Sequence, residues 1–483
     1  MSINAEFEAL IEERMKRFHY LLEQSKFNFN KYQYEGVEWC IKNELRPNPP
    51  ANFRGGFIAD EMGLGKTILM IGTMFCNFLP KTLIVVPPVL IQQWVKEIYK
   101  TTGHKVVLYY GNNKKNITLD ILNNAPIVLT TYNTLIPDKC LLKNIPWNRI
   151  IYDEAHHLRN ARTRRFINCR SLRARIRWLV TGTPVQNKKQ DFYNLCFAAG
   201  MNPNFYLEPV NLPQIVNNFI LRRTKTQVGI NLPSVNKNNC SVEWTNVKEM
   251  LLSEEIHSLL PNQTGVSSDK KRKLAEIFGK KGIITAILRA RQSCILPSLM
   301  RKSVELFKDL LGNDYVEALD YTSKIDAVIE LIHENKDNGK GKLIFCHYRD
   351  EIDIIKNKLI VKGYSKDKVF SYDGRSSKKL NSILDLMEEG TTYVLIIQIQ
   401  TGCEGLNLQA NFSEIYFVSP HWNPSIEDQA IARCHRIGQK KEVDVFKFEM
   451  NGFSEGKDSI TLEKYVNKVQ DFKREISKQI LSN

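Results

Sequence analysis

The stretch Asp60-Glu61-Met62-Gly63-Leu64-Gly65-Lys66-Thr67 constrains the fold more than any other part of the chain. It follows a short apolar run, Gly56-Phe57-Ile58-Ala59, and precedes another, Ile68-Leu69-Met70-Ile71. Strand, glycine turn and helix in that order make a phosphate-binding loop. Gly63 and Gly65 let backbone N–H groups close on a polyphosphate. Lys66 can reach the β- and γ-phosphates, and the Thr67 hydroxyl can ligate Mg²⁺. The general loop pattern asks for glycine where Asp60 stands, so the acid is a departure.

A second string supplies what such a loop needs. Arg149-Ile150-Ile151-Tyr152-Asp153-Glu154-Ala155-His156 is an apolar run ending in two acids. A buried parallel strand that ends at a carboxylate suits a Mg²⁺–nucleotide site. Asp153 is expected to hold the metal, and Glu154 to orient and deprotonate an attacking water. The plainer alternative is a helix N-terminus, where acids favour the positive end of the dipole.

These residues resemble the motifs of superfamily-two helicases and, more narrowly, of the Swi/Snf-like DNA-dependent ATPases, in which an acid at position 60 is normal. Further strings agree in order. Tyr32-Gln33 with Gly36, Val37 and Trp39 is similar to the adenine-reading glutamine motif. Thr82 to Pro88, with Trp94 and Glu97, is similar to the next strand and helix. Leu129-Thr130-Thr131-Tyr132, Leu179 to Asn187 and Leu221-Arg222-Arg223-Thr224-Lys225 complete a first lobe. In a second lobe stand Lys342 to Cys346, Asp373-Gly374, Glu404 to Leu408 and Trp422-Asn423-Pro424. They lead to Gln429-Ala430-Ile431-Ala432-Arg433-Cys434-His435-Arg436-Ile437-Gly438-Gln439. The segment Gln398 to Cys403 departs from the family pattern and keeps only Gly402; the variant resembles proteins of large double-stranded DNA viruses.

The resemblance implies two RecA-like lobes that use ATP and Mg²⁺. Gln33 would read adenine, Asp60 to Thr67 would cradle the phosphates, and Thr67 and Asp153 would hold the metal. Lys66, Asp153, Glu154, Arg433 and Arg436 would be catalytic. The i, i+3 spacing of the two arginines would put both on one helix face, poised as arginine fingers. Thr131, Arg159, Asn407 and Trp422 would meet nucleic acid.

Composition bounds the partners. Lys+Arg exceeds Asp+Glu, 68 against 52, for a net charge of +16 over 483 residues. With a pI near 9.2, the balance favours a polyanion such as double-stranded DNA over a membrane. Apolar runs stay below the roughly 18–20 residues of a membrane-spanning helix. Glu6 to Glu13 is too acidic for a secretory or mitochondrial signal. The 10 cysteines include no C-x-x-C pair, which argues against a zinc ribbon and for a reduced, intracellular chain; the resemblance implies a nucleus or a viral replication compartment.

Alternation of short apolar strands with helical stretches over about 30–230 and 322–450 predicts two α/β lobes on parallel sheets. Boundaries are expected at 1–235 for the first lobe, 236–320 for a helical insertion without strands, and 321–483 for the second lobe. An amphipathic helix is expected over about 5–24, from Phe7, Leu10, Ile11, Phe18, Leu21 and Leu22, and a closing helix from Thr461 to about Leu481.

Arginines at 159, 162, 164, 165, 170, 173, 175 and 177, with no acid among them, form either a phosphate-binding stripe or a mixed surface paired elsewhere. Lys270-Lys271-Arg272-Lys273, with Lys280 and Lys281, suits DNA contact, nuclear import or a solvated helix. His156 and His157 are adjacent on a helix and so should not face one another as a metal pair. The expected function is a monomeric, Mg²⁺-dependent ATPase that moves along duplex DNA, bare or carrying nucleosomes or a transcription complex. The alternatives are a strand-separating helicase or transcription-associated ATPase on the same fold, and a non-enzymatic nucleic-acid scaffold.

Overall fold

The computed structural model describes all residues except 1–2, 26–29, 183–188, 262–266, 280–281, 376–379, 389–390, 403–405, 454–459 and 482–483. The chain divides into two compact units, Met1–Asn231 with Lys473–Asn483, and Leu232–Phe472.

The first unit is built on a seven-stranded parallel sheet. Its strands are β1 (Gly55–Ile58), β2 (Thr82–Val86), β3 (Val107–Leu108), β4 (Ile127–Thr131), β5 (Trp147–Asp153), β6 (Ala174–Val180) and β7 (Ile220–Leu221). They lie in the order β3-β4-β2-β5-β6-β1-β7. β1, β2 and β4 are buried along their whole length, which is why they carry no charged residue and no polar alternation. Helix α1 (Ile3–Ser25) buries Ile11, Phe18, Leu21 and Leu22 of the expected stripe and adds Met15, while Phe7 and Leu10 are only partly covered. It packs with α2 (Lys31–Leu45), α3 (Lys66–Cys76) and α4 (Ile91–Thr102) on one face of the sheet.

A fully buried ion pair fixes α2 to that sheet. Arg149 on β5 donates through Nε to Glu44 Oε1 at 2.6 Å, and the Trp178 indole donates to the same oxygen at 2.8 Å. Asn77 adds a third donor at 2.7 Å on Oε2. Both charges are desolvated, so the remaining donors are what make the pair tolerable. Removing either partner would leave the other buried and unpaired.

The second unit has a six-stranded parallel sheet, ordered β10-β11-β9-β12-β13-β8. Its strands are β8 (Val235–Val242), β9 (Lys342–Cys346), β10 (Val369–Tyr372), β11 (Val394–Gln398), β12 (Glu414–Phe417) and β13 (Val443–Met450). β8 corrects the expected boundary at 236. Residues 235–242 open no helical insertion but pair in parallel with β13 over their full length. As an edge strand β8 is mostly exposed, so its polar sequence gives no apolar run. The helices from Val247 to Ala318 follow, with a core of their own around Leu252, Ile256, Phe278, Ala290, Met300 and Val304. The closing helix runs Leu462–Leu481.

The nine described cysteines are unpaired thiols, and among the described residues no cluster of His, Cys, Asp and Glu could hold a structural metal.

Candidate nucleotide site

β1 ends at Ile58 and the chain turns through 59–65 into α3, with Lys66 as the first helical residue. Gly63 and Gly65 have φ of 94° and 76°, a region costly to any side chain. A Cβ on Gly65 would stand 2.8 Å from Gln33 Nε2, so the glutamine of α2 lies against the loop. Lys66 Nζ donates to the Asp60 carbonyl at 2.9 Å, across the mouth of the turn. Thr67, in the first turn of α3, is partly exposed. The Gly182 turn comes close as well, since a Cβ there would meet Met62 Cε at 3.2 Å. The rest of that motif, Thr183 to Asn187, lies outside the described residues.

The Asp60 side chain is already engaged and is not turned to the phosphate side of the loop. Its carboxylate is fully buried and spent on Arg223, which donates from its backbone N–H at 3.0 Å, Nε at 3.1 Å and Nη2 at 2.5 Å. A buried charge requires such a partner, and this explains why an acid is stable where the general pattern has glycine. Glu61 is occupied in the same way, by Lys225 through its backbone N–H at 2.8 Å and its Nζ at 3.1 Å. Leu64 is buried, at 1% exposure.

β5 delivers Asp153 and Glu154 at its carboxyl end, two strands from β1 in the sheet order. Asp153 Oδ2 accepts from the Trp94 indole at 2.8 Å, and Oδ1 accepts from the Glu154 N–H at 2.9 Å. Tyr132 clamps the same residue by donating to its carbonyl at 2.6 Å. Burial and the neighbouring Glu154 charge push the Asp153 carboxyl up from its ordinary pKa. Glu154 itself has φ 49° and ψ 49°. A left-handed backbone at a non-glycine residue costs about 1–3 kcal/mol and tends to mark functional sites. That turn ends the strand's alternation between faces, and Glu154 Oε2 sits 3.2 Å from His156 Nδ1.

Two oxygen acids close together, one raised by the other's charge, are suited chemically to a hard divalent cation. Asp153 and Thr67 are the residues that would hold it. The histidines depart from expectation. Ala155–Leu158 forms a 3₁₀ turn, and the His156 and His157 rings stand 4.6 Å apart at 30°.

The nucleic-acid candidates separate. Thr131 is corrected. It is 1% exposed, and its hydroxyl caps the next turn by accepting from the Thr134 N–H at 3.3 Å, so it presents nothing to DNA. Arg159 is partly exposed, and its carbonyl holds Asn194 Nδ2 at 2.7 Å. The arginine stripe is not one surface. Arg177 is buried and donates to the carbonyls of Ala198 and Leu172, and Arg170 covers the Phe197 ring. Arg162, Arg164, Arg173 and Arg175 are exposed.

In the second unit the helix Pro424–Ile431 stops short of both expected arginine fingers. Arg433 and Arg436 lie in the turns that follow, not on one helix face. The Leu408 N–H takes the Arg433 carbonyl at 3.0 Å, and Gly438 at φ 98° ends the turn. The two remain electrostatic neighbours: burial and the Arg433 charge lower the Arg436 pKa. Arg436 Nη1 donates to Asn407 Oδ1, so Asn407 braces an arginine. Trp422 is half-buried against the helical core, edge-on to Tyr465 at 6.5 Å, beside a cavity of about 250 Å³. Glu404 and Gly405 lie outside the described residues, as does Cys403.

Trp94, Tyr132, Arg223 and Lys225 stand within recognisable strings, yet their roles in the site are not written there. Their acidic-residue partners are 21 to 164 positions away, beyond any local pattern.

Two family models match the chain: the SNF2-related domain over residues 32–203 and the helicase conserved C-terminal domain over 323–438. An uncharacterized ATP-dependent helicase of Mycoplasma genitalium is 29% identical over 96% of this chain. A putative ATP-dependent helicase/translocase of Bacillus subtilis is 28% identical over 91%. The chain spans 43% and 48% of those two proteins. A probable global transactivator of the Orgyia pseudotsugata multicapsid polyhedrosis virus is 26% identical over 92% of this chain and 90% of its own length. A solved SWI2/SNF2 ATPase core of Sulfolobus solfataricus, in complex with dsDNA, has 26% identity over 94% of the chain with a TM-score of 0.39. With its SNF2-related domain followed by a helicase C-terminal domain, the chain belongs to the Swi/Snf-like family of helicase-related ATPases.

Proposed function

We propose that the protein hydrolyses ATP with Mg²⁺ and couples hydrolysis to movement along double-stranded DNA. The observation that carries the chemistry is one site in the first unit: a phosphate loop headed by Lys66 beside a strand whose last acids are Asp153 and Glu154. Bound Mg²⁺ would neutralise phosphate charge and polarise the phosphoryl group. Lys66 Nζ exchanges the Asp60 carbonyl for phosphate oxygens when nucleotide enters. Asp153, oriented by Trp94, offers carboxylate oxygen to the metal. Glu154 takes the proton of the attacking water on a carboxylate oxygen. We assign Arg433 and Arg436 the arginine-finger role on the motif string alone.

Duplex DNA as the partner is supported by the +16 charge and by relatives described as ATP-dependent helicases or helicase/translocases. A dead scaffold is disfavoured because Lys66, Asp153 and Glu154 are all present and assembled. The deciding experiment compares ATPase rates with duplex DNA, single-stranded DNA, RNA and nucleosomes side by side. Stimulation by duplex DNA above the others supports the reading, and a rate indifferent to every nucleic acid removes it.

A further inference from the structure

We propose that Arg223 is a positioning residue for base recognition: one guanidinium ties the helix that carries Gln33 to the phosphate loop, and so sets selectivity for adenine over guanine nucleotides. The proposal rests on the reading of Gln33 as the base-contacting residue. The geometry is local to the first unit. Arg223 meets both oxygens of Asp60, the residue that opens the loop, from Nε and Nη2. Its remaining nitrogen, Nη1, donates to the Tyr32 carbonyl, and its guanidinium lies 5.5 Å from the centre of the Tyr32 ring.

Tyr32 immediately precedes Gln33 in the first turn of α2, and Asn30 at the N-cap donates from Nδ2 to Gln33 Oε1 at 3.3 Å. Gln33 in turn borders Gly65, at the other end of the loop from Asp60. One turn along α2, Gly36 leaves room for the same guanidinium: a Cβ there would stand 2.8 Å from Arg223 Nη2.

The arrangement has a chemical logic. The phosphate loop fixes where the polyphosphate sits, and α2 fixes where the base is read. A planar, always-charged fork can hold a carboxylate on one edge, a carbonyl on another and an aromatic face below. A lysine could keep the charge beside Asp60 but could not span all three. Phosphate binding should therefore survive the exchange while the registry of Gln33 degrades. Base discrimination by hydrogen bonding depends on such registry.

The test uses the full chain with saturating duplex DNA and measures kcat and KM for ATP and GTP, with melting temperature as the folding control. Arg223→Lys is expected to reduce the ATP/GTP ratio of kcat/KM about tenfold. The loss should appear in the KM for ATP, with both kcat values within about threefold of the starting protein. Tyr32→Leu, which keeps the Asp60 pair, should shift the ratio in the same direction by less. In a Gln33→Ala background, where direct reading is gone, Arg223→Lys should add nothing. Equal losses for ATP and GTP, an unchanged ratio, or an additive loss with Gln33→Ala would each overturn the proposal. If Arg223→Lys does not fold, Tyr32→Leu decides, and an unchanged ratio there is fatal. A starting protein with no preference for ATP would remove the Gln33 reading and this proposal together. Preference that vanishes in Gln33→Ala but persists in Arg223→Lys would remove this proposal alone.

Discussion

The Trp94 indole N–H donates to Asp153 Oδ2 at 2.8 Å, so a buried aromatic of α4 sets the orientation of the carboxylate assigned to the metal. Replacing Trp94 with Phe keeps most of the ring volume and deletes the donor. Groups that brace a metal ligand typically matter about 10–100-fold for metal affinity. Trp94→Phe should therefore raise the Mg²⁺ concentration for half-maximal ATPase by about tenfold. A Mg²⁺ titration at fixed ATP checks this, and an unshifted midpoint would show that the indole is only packing.

Glu154 sits in left-handed backbone at the end of β5, a conformation held by the turn that follows it. Glu154→Gln keeps the size and the backbone but cannot accept the water's proton. Turnover should fall by about 100-fold or more, with ATP affinity retained. Lys66→Ala should instead weaken nucleotide binding and turnover together. Equilibrium binding of ATP and single-turnover hydrolysis separate the two, and wild-type hydrolysis by Glu154→Gln would remove the assignment of the base.

Arg436 is held by Asn407 and crowded by the charge of Arg433, which disfavours two guanidiniums together until an anion arrives. If the pair serves the transferring phosphoryl group, Arg436→Ala should bind ATP normally and lose at least about 100-fold in DNA-stimulated turnover. Asn407→Ala should lose less, since it braces and does not reach. Normal turnover in Arg436→Ala would end the arginine-finger assignment.

What the sequence made legible was what is written locally. The loop at 60–67 and the acids at 153–154 are contiguous strings whose geometry follows from strand, turn and helix. The string at 60–67 does not show the Asp60 pairing, because Arg223 is 163 positions away and no spacing rule connects them. The i, i+3 spacing of Arg433 and Arg436 implies one helix face only while the helix continues, and it ends at Ile431. β8 is not legible as a strand because an edge strand is held by its backbone ladder to β13 and needs no apolar run. Thr131 has the composition of a contact residue, but its burial follows from a turn that the string does not show.

His257 gives a pH signature to the second unit. It is fully buried, donates from Nδ1 to the Ser253 carbonyl at 2.7 Å and accepts at Nε2 from the Leu462 N–H at 3.0 Å, where the closing helix begins. Burial lowers its pKa to about 4. The folded state thus keeps it neutral where the unfolded chain would bind a proton. Its contribution is fully present above about pH 6.5 and is lost as pH falls towards 4, by about 3 kcal/mol in all. Buried Glu249 and Glu351, each raised to about 7, act in the opposite sense over the same range, so the wild-type curve is a sum. His257→Gln, whose amide can make both hydrogen bonds without titrating, isolates the histidine. Urea unfolding should show wild type losing ground to His257→Gln as pH falls from 7.5 to 4.5. A difference constant with pH would mean that His257 does not titrate on unfolding.

The mechanical output distinguishes the proposed translocase from a strand-separating helicase. A duplex translocase displaces what lies ahead of it, such as a third strand in the major groove, whereas a helicase frees one strand of a fork. Triplex displacement driven by ATP is expected, with no unwinding of a forked duplex. Trp422, half-buried beside Tyr465 and lining a cavity with Leu260, Ile283 and Ile287, has an exposed part to offer a DNA strand. Trp422→Ala should lose displacement while keeping much of its ATPase, and a melting curve controls for loss of packing against the helical core. DNA affinity should fall steeply with salt, because the +16 charge implies phosphate contacts and counterion release. Replacing the exposed Arg162, Arg164, Arg173 and Arg175 together should flatten that slope if they are the contacts. Replacing the buried Arg177 should cost stability instead, since its hydrogen bonds go to the Ala198 and Leu172 carbonyls. Efficient fork unwinding without triplex displacement would reverse the ranking and make strand separation the better account.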